Sequence, residues 1–351
     1  MMWRAWMTVM WMVGLATVRA WGAQAEALTG VDRIVFLGDS NTYAGLYVEY
    51  VEAVFRARAS GRKIEVINLS LPSETASGLS EPDHPFPRPC VHERLDRVLA
   101  KTKPGLVVAC YGMNDGIYYP LSTDRMKAYA EGMTRLVEKV RASGARIVLL
   151  TPPPFDVAPV KDKTLPAGQE KYSWMRPFAG YDQVLAAYSL WLKGQEREGW
   201  TVVDIREPMI ESTSARRAAM PGYALAADGI HFNAIGHWLV AKEVLVELGV
   251  PEDLVDGIGF QSAEAGKESI AFPDVLGEMP LESALLVKLI HERQSMMRDA
   301  WLSEVGHKRP DMNKGLPMAE AKKKELEMEK KISEVLVAAR QAKAQSAKTN
   351  R

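Results

Sequence analysis

The chain is poor in residues that crosslink. Two of its 351 residues are cysteine, Cys90 and Cys110. So few exclude a disulfide-stapled scaffold, and no Cys/His set stands at zinc-ligand spacing. Cys110 lies inside the apolar pattern Leu106-Val107-Val108-Ala109-Cys110-Tyr111 and reads as a small core residue, whereas Cys90 falls in a proline-rich loop. A bridge between them is permitted in an oxidising compartment but not implied by their spacing. Charge of one sign is lacking too: 44 Lys and Arg balance 44 Asp and Glu. Nothing in that balance argues for nucleic acid as a partner. No glycine-rich phosphate loop, nucleotide fingerprint or internal repeat is present, and no cofactor is expected. Also missing is an apolar run that spans a bilayer comfortably. Residues 5–18 are apolar apart from two threonines and a glycine, Arg4 precedes them, and Ala23-Gln24-Ala25 fits a small-residue cleavage site. Residues 1–25 therefore read as a secretory signal rather than a permanent anchor. Its removal would take Arg4 and Arg19 with it and no acid. The mature protein is expected to be exported, to a periplasm or beyond, without a stable membrane anchor.

What the chain does have is alternation. Ile34 to Leu37 is an apolar run that ends in Gly38-Asp39-Ser40-Asn41. Such a run reads as a buried parallel strand, and the glycine and aspartate as the turn that closes it. Helical spacing follows from Tyr43 to Ala59, with Gly61 as its stop. Further strands are expected over Ile64–Leu69, Leu106–Tyr111, Ile147–Leu150 and Thr201–Asp204. Helices are expected over Val91–Ala100, Met126–Ala142, Phe178–Glu198 and Ala234–Leu248, the last capped by Asn233. The Pro-rich stretch Asp83-His84-Pro85-Phe86-Pro87-Arg88-Pro89 reads as a pocket rim, and the segment from Thr151 to Pro177 as a long surface loop. Strands alternating with helices imply a three-layer α/β/α sandwich on a five-stranded parallel, flavodoxin-like sheet. This domain is expected over residues 26–250. Residues 251–280 look loop-like. Beyond them a C-terminal helical extension follows, with one stripe through Leu281, Leu285, Leu289, Met297 and Trp301 and a second through Met328, Ile332, Val335 and Ala339. No chemistry is apparent in it; its helices pack on the domain or on a partner, so an oligomer built through them is open.

Four short blocks fall in order on strand-ending loops or just before a helix: Gly38-Asp39-Ser40-Asn41, Asn68 to Thr75, Gly112-Met113-Asn114-Asp115, and Asp228-Gly229-Ile230-His231. Taken singly, Ser40 reads as a helix cap, Asn114 as a turn residue and His231 as an idle loop histidine. Taken together they carry a chemistry. A serine needs an adjacent base to become a nucleophile, and histidine titrates in the right range. A carboxylate must hold that imidazole in one tautomer, and Asp228 stands three residues before His231. The oxyanion needs preorganised donors, which the Ser40 N–H, a second backbone N–H and the Asn114 amide can supply.

This set closely resembles the SGNH/GDSL hydrolase superfamily over roughly residues 31–248. The resemblance implies Ser40 as nucleophile, His231 as base, Asp228 as its partner and Asn114 as an oxyanion donor. The family's second oxyanion donor is a glycine N–H in a pattern like Asn-x-Gly-x-x-Gly-x-Thr. Asn68 and Thr75 match it, but Ser70 and Ser73 replace the glycines, so Ser73 takes the donor position. Its N–H survives the change provided the turn needs no positive φ. Asn41 replaces the usual leucine, a change expected not to touch the nucleophile. Asp83-His84 and His92, a conceivable metal site or second base, read better as surface loop, and His237 as a packed or surface histidine. The expected activity is hydrolysis of an oxygen ester of a small molecule or polysaccharide through an acyl-serine, most simply removal of small acyl groups from carbohydrate. Tyr118 and Tyr119 could stack on a sugar ring or simply pack their loop. A lipase- or thioesterase-like acylhydrolase is the competing enzyme. A non-catalytic glycan-binding or assembly module is the competing class.

Overall fold

The computed structural model describes residues 28–58, 64–256, 260–262, 268–270 and 280–349. The expected leader and Gly61 lie outside them. Five parallel strands form the sheet: β1 (Arg33–Gly38), β2 (Glu65–Asn68), β3 (Leu106–Cys110), β4 (Arg146–Leu150) and β5 (Thr201–Val203), in the order β2-β1-β3-β4-β5. That is the flavodoxin-like order, with the switch point between β1 and β3. Successive residues of β1 feed opposite layers. Ile34 and Phe36 join one core and Val35 and Leu37 the other, all fully buried. Burial on both faces is why the strand reads as an unbroken apolar run.

Helices α1 (Ser40–Ala44) and α2 (Leu46–Arg58) follow β1. After β2 come α3 (Leu95–Thr102), α4 (Thr123–Ala142), α5 (Tyr181–Gly194), α6 (Arg206–Ala219) and α7 (Ala234–Glu247). Helices α2 and α7 cover the face of Ile34 and Phe36; α3, α4 and α5 cover the other. The layering is the three-layer sandwich expected. Three local differences bear on the site. The helix after β1 starts at Ser40 itself and breaks at Gly45, rather than starting at Tyr43. Asp39, not Ser40, is the N-cap: its side chain accepts from the Asn41 N–H at 3.0 Å. Helix α6 was not foreseen, because Pro208 sits in its first turn and only Met209, Thr213 and Arg206 are buried along it. Proline is tolerated there since first-turn N–H groups have no intrahelical partner.

Beyond α7 the loop expected over 251–280 instead holds a short helix α8 (Glu252–Asp256) and an antiparallel pair, β6 (Phe260–Ser262) with β7 (Glu268–Ile270). The extension is a hairpin of α9 (Pro280–Val305) and α10 (Met318–Thr349). Its apolar side is turned inward onto the domain, through Leu286, Ile290, Met297 and Trp301 from α9 and Ile332, Leu336 and Ala339 from α10. The stripe expected through Leu285 and Leu289 is displaced by one residue, and Leu285 is exposed. A charged residue caused that error: Arg293 occupies the inward position between Ile290 and Met297. Arg293 donates to both carboxylate oxygens of Glu52 on α2 at 2.6 Å and to Glu325 on α10 at 2.7 Å. Arg56 on α2 pairs with Glu329 at 2.6 Å. Burial raises the Glu52 carboxyl, but Arg293 and Arg56 outweigh it and hold that carboxyl below its ordinary range. Removing one partner of such a buried pair strands the other charge, so the hairpin is fastened to the helix that follows the Ser40 loop. Both cysteines are free thiols. Among the described residues no helix is long and apolar enough to cross a membrane.

Candidate active site

Ser40 stands at the carboxyl end of β1, on the first residue of α1. Gly38 allows the tight exit: a Cβ there would lie 2.3 Å from Thr42 Oγ1 and 2.8 Å from the Cys110 carbonyl. His231 arrives on the loop before α7, and its Nε2 lies 2.8 Å from Ser40 Oγ. Its Nδ1 lies 2.6 Å from Asp228 Oδ2. The other Asp228 oxygen accepts from the N–H groups of Ile230 and His231 at 2.9 and 2.8 Å. Gly229 makes that tight turn at φ 83°, and its side faces Phe155 and Val160 too closely for a Cβ. With Nδ1–H donated to the carboxylate, Nε2 is left as the acceptor for the serine hydroxyl. The Asp228 bond raises the His231 pKa, against a smaller lowering by burial. Burial raises Asp228, yet the hydrogen bonds from the His231 ring and from the two N–H groups together hold it well below the carboxylate range. Behind Ser40, burial pushes the Asp39 carboxyl up to about 6.

The two halves of this constellation are laced together. Asn41 donates from Nδ2 to the Ile230 carbonyl at 3.0 Å and accepts at Oδ1 from the Phe232 N–H at 3.4 Å. Without touching Ser40 Oγ, this side chain ties the serine helix to the histidine loop. Asp156 secures that loop from the other side. It accepts from Leu225 N–H at 3.0 Å and Arg217 Nη2 at 2.6 Å, and its own N–H donates to the Gly229 carbonyl. Asp156 has no sequence signature, because partners such as Arg217 and Leu225 lie 61 and 69 residues later. His237 is buried on α7, stacked near Tyr47 and edge-on to Phe232, and burial lowers its pKa to about 3.

Asn114 and Ser73 face Ser40 across a cavity of about 240 Å³. Asn114 Nδ2 donates to the Glu74 carbonyl at 3.3 Å, and its Oδ1 accepts from Tyr118 Oη at 3.0 Å, which fixes the amide with its nitrogen toward the second block. The N–H groups of Ser40 and Ser73 donate to no acceptor among the described residues. Ser73, however, has φ 66°. The condition set on that position fails: the turn does use the left-handed region, and a serine bears it. Such a conformation costs an L-residue about 1 kcal/mol. Ser73→Gly is therefore expected to stabilise the protein by about 1 kcal/mol in denaturant unfolding while retaining turnover. A less stable variant would mean that the serine side chain itself holds the turn.

Of the two roles left open for the tyrosines, packing is the one their contacts favour. Tyr118 is 1% exposed, with Tyr181 stacked 4.8 Å from it and the Arg88 guanidinium 5.4 Å over its ring. It lines the cavity from behind and supports Asn114, its ring faces being covered. Tyr119 does not line the cavity and packs against Tyr172 and Arg125. The exposed aromatic at the cavity is Trp174, 42% exposed and carried on the long loop before α5. The Pro-rich rim is where expected: His84, Pro85, Phe86 and Arg88 line the cavity. His84 is thus no idle surface residue, though its Nδ1 is engaged by the Phe86 carbonyl at 2.5 Å. His92 lies apart and bonds the Gly132 carbonyl. Among the described residues no group of acids, cysteines and histidines could hold a metal. One lining residue comes from the extension, Arg309, where no chemistry was expected.

The family model described as GDSL-like lipase/acylhydrolase matches residues 36–239. The chain belongs to the GDSL-like lipase/acylhydrolase family. As a GDSL-family protein it is a serine ester hydrolase, and the matched span runs from β1 into α7, enclosing both Ser40 and His231. No curated protein matches the sequence. Among solved structures, a gut microbial diltiazem-metabolizing enzyme is similar with TM-score 0.55 and 15% identity, over 78% of this chain and 80% of its own. An acetylxylan esterase from Geobacillus stearothermophilus is similar with TM-score 0.46 and 21% identity, over 63% of this chain and 95% of its own. The acetyl xylan esterase AlAXEase has TM-score 0.46 and 16% identity, over 61% and 98%. At 15% identity the likeness of this GDSL-family chain to the diltiazem-metabolizing enzyme is one of fold.

Proposed function

We propose that the protein removes small acyl groups, acetyl above all, from carbohydrate hydroxyls through an acyl enzyme on Ser40. His231 takes the Ser40 proton as Oγ attacks the ester carbonyl, and Asp228 holds the resulting imidazolium. The N–H groups of Ser40 and Ser73 and the Asn114 amide receive the oxyanion. His231 then returns the proton to the departing alcohol, and a water repeats the cycle to free the acid. The observation that carries the acyl-group size is the cavity: at about 240 Å³ it is bounded by Pro72, Pro85 and Phe86 beside Ser40. Sites that bury larger ligands run to about 300–1,000 Å³. That size suits a short acyl group better than a long chain, which disfavours the lipase-like reading. Trp174, an open aromatic face at the same cavity, suits a sugar ring. We place the enzyme outside the cytoplasm, where acetylated polysaccharides are met, on the strength of the leader-like residues 1–25.

The test is a paired assay: acetate release from acetylated polysaccharides, and kcat/KM on p-nitrophenyl esters of increasing chain length. The proposal predicts acetate release, and a kcat/KM that falls at least ~10-fold between acetyl and octanoyl esters, as a pocket that cannot accept extra methylenes requires. A kcat/KM that rises with chain length would favour the lipase-like alternative.

A further inference from the structure

We infer that Arg309, delivered to the cavity by the C-terminal hairpin, makes this a hydrolase for esters that carry a carboxylate. The inference rests on the serine-esterase reading of Ser40 and adds the charge of the substrate to it.

The cavity is one-sided in charge. Two guanidinium groups line it, Arg88 and Arg309, and among the described residues no acidic side chain does. Arg88 is already neutralised: its Nε and Nη2 donate to the two Glu81 carboxylate oxygens at 2.5 and 2.6 Å. Arg309 is different. Its Nη1 bonds the Pro310 carbonyl at 2.9 Å and meets Met312 Sδ at 3.1 Å, and its Nε is buried without a partner. Among the described residues it makes no ion pair. Its plane lies over the Phe86 ring, with Cζ 5.0 Å from the centroid. Partial burial lowers its pKa, outweighing the pull of Tyr43 and Asp311, so an incoming carboxylate would compensate a charge that the fold leaves partly desolvated.

The hairpin holds Arg309 in place. Just before it, the Val305 and Gly306 carbonyls accept from Arg97 at 2.5 and 3.1 Å, and Lys308 pairs with Glu93 at 2.9 Å. On α9, Arg298 donates to the Tyr43 carbonyl at 2.6 Å and stacks 3.8 Å over the Tyr43 ring, three residues from the nucleophile. A guanidinium at the end of a flexible tail would select little. One on a hairpin fastened to the serine domain through α9 and, by the Arg56–Glu329 pair, through α10 can select by charge.

The carboxylate can sit on the alcohol, as in an acetylated uronic acid, or on the acyl group, as in a hemisuccinate. Both are measured with the full chain as kcat/KM ratios. One arm compares mono-O-acetylated methyl glucuronoside with the methyl glucoside. The other compares p-nitrophenyl hydrogen succinate with p-nitrophenyl butyrate. The wild-type protein is expected to favour the anionic member of one arm by about 10- to 100-fold, the range a charge-assisted hydrogen bond supplies. Arg309→Gln should bring that ratio to about 1, and Arg309→Lys should restore part of it, since it keeps the charge and loses the fork. The arm that responds identifies where the carboxylate sits. A ratio cancels any general loss of activity in the variant. Ratios at or below 1 in both wild-type arms, or a preference that survives Arg309→Gln, overturn the inference. Inactivity on both acetyl sugars with turnover of the p-nitrophenyl esters would instead sink the carbohydrate reading, and the succinate arm would still decide the role of Arg309.

Discussion

Replacing Ser40 with alanine is expected to lower kcat on p-nitrophenyl acetate by at least ~10⁴-fold, with the fold intact. The size of the effect follows from what the hydroxyl does and does not touch. Its one side-chain partner among the described residues is His231 Nε2, at 2.8 Å. The cap of α1 is made by Asp39, and the lacing to the histidine loop by Asn41, so neither depends on Ser40 Oγ. Without Oγ no covalent intermediate forms, and the donors that remain can stabilise only a direct attack by water. Thermal unfolding should scarcely move, because a half-exposed hydroxyl is lost without opening a core cavity. Loss of activity accompanied by a collapse in stability would assign Ser40 a structural task instead.

Asp228→Asn should cost nearly as much, about 10³–10⁴-fold in kcat, and should also change the pH profile. Asparagine can keep the bonds that Asp228 Oδ1 accepts from the Ile230 and His231 N–H groups, so the loop should hold. Its amide then presents an N–H to His231 Nδ1. That nitrogen must become an acceptor, which places the ring proton on Nε2, facing Ser40. The base is lost by tautomer, not by distance. In the wild-type protein, kcat/KM should rise with pH as His231 loses its proton, and the rise should centre above the ordinary histidine range, because the Asp228 bond raises that pKa. Take the bond away and the residual activity should rise at lower pH. A profile that does not shift would mean that Asp228 has no electrostatic hold on the imidazole.

The parts of the molecule that were readable from the chain are those whose cause is local. Ile34 to Leu37 is buried on both faces, and an unbroken apolar run is the direct signature of that burial. Asp228 and His231 share one turn, so their spacing alone implies their hydrogen bond. What escaped depends on distant pairings. Asn41 reaches Ile230 and Phe232 across about 190 positions of chain, and no pattern around Asn41 marks it as a clasp. The α9 stripe was misplaced because Arg293 looks like a surface residue until Glu52 and Glu325 surround it. Arg309 belongs to a segment with no catalytic motif, and only the folded hairpin carries it to the cavity. The strain at Ser73 was not legible: its left-handed φ is set by the turn from Asn68 to Thr75, where the family pattern has glycine.

The central claim is that one serine, and no other, is activated. Treatment with a fluorophosphonate followed by peptide mapping tests it most directly, since the reagent marks serines whose hydroxyl is deprotonated by a neighbouring base. The account predicts a single adduct, on Ser40, that disappears when His231 is replaced. An adduct on a different serine, or an active protein that the reagent leaves unmodified, would contradict it.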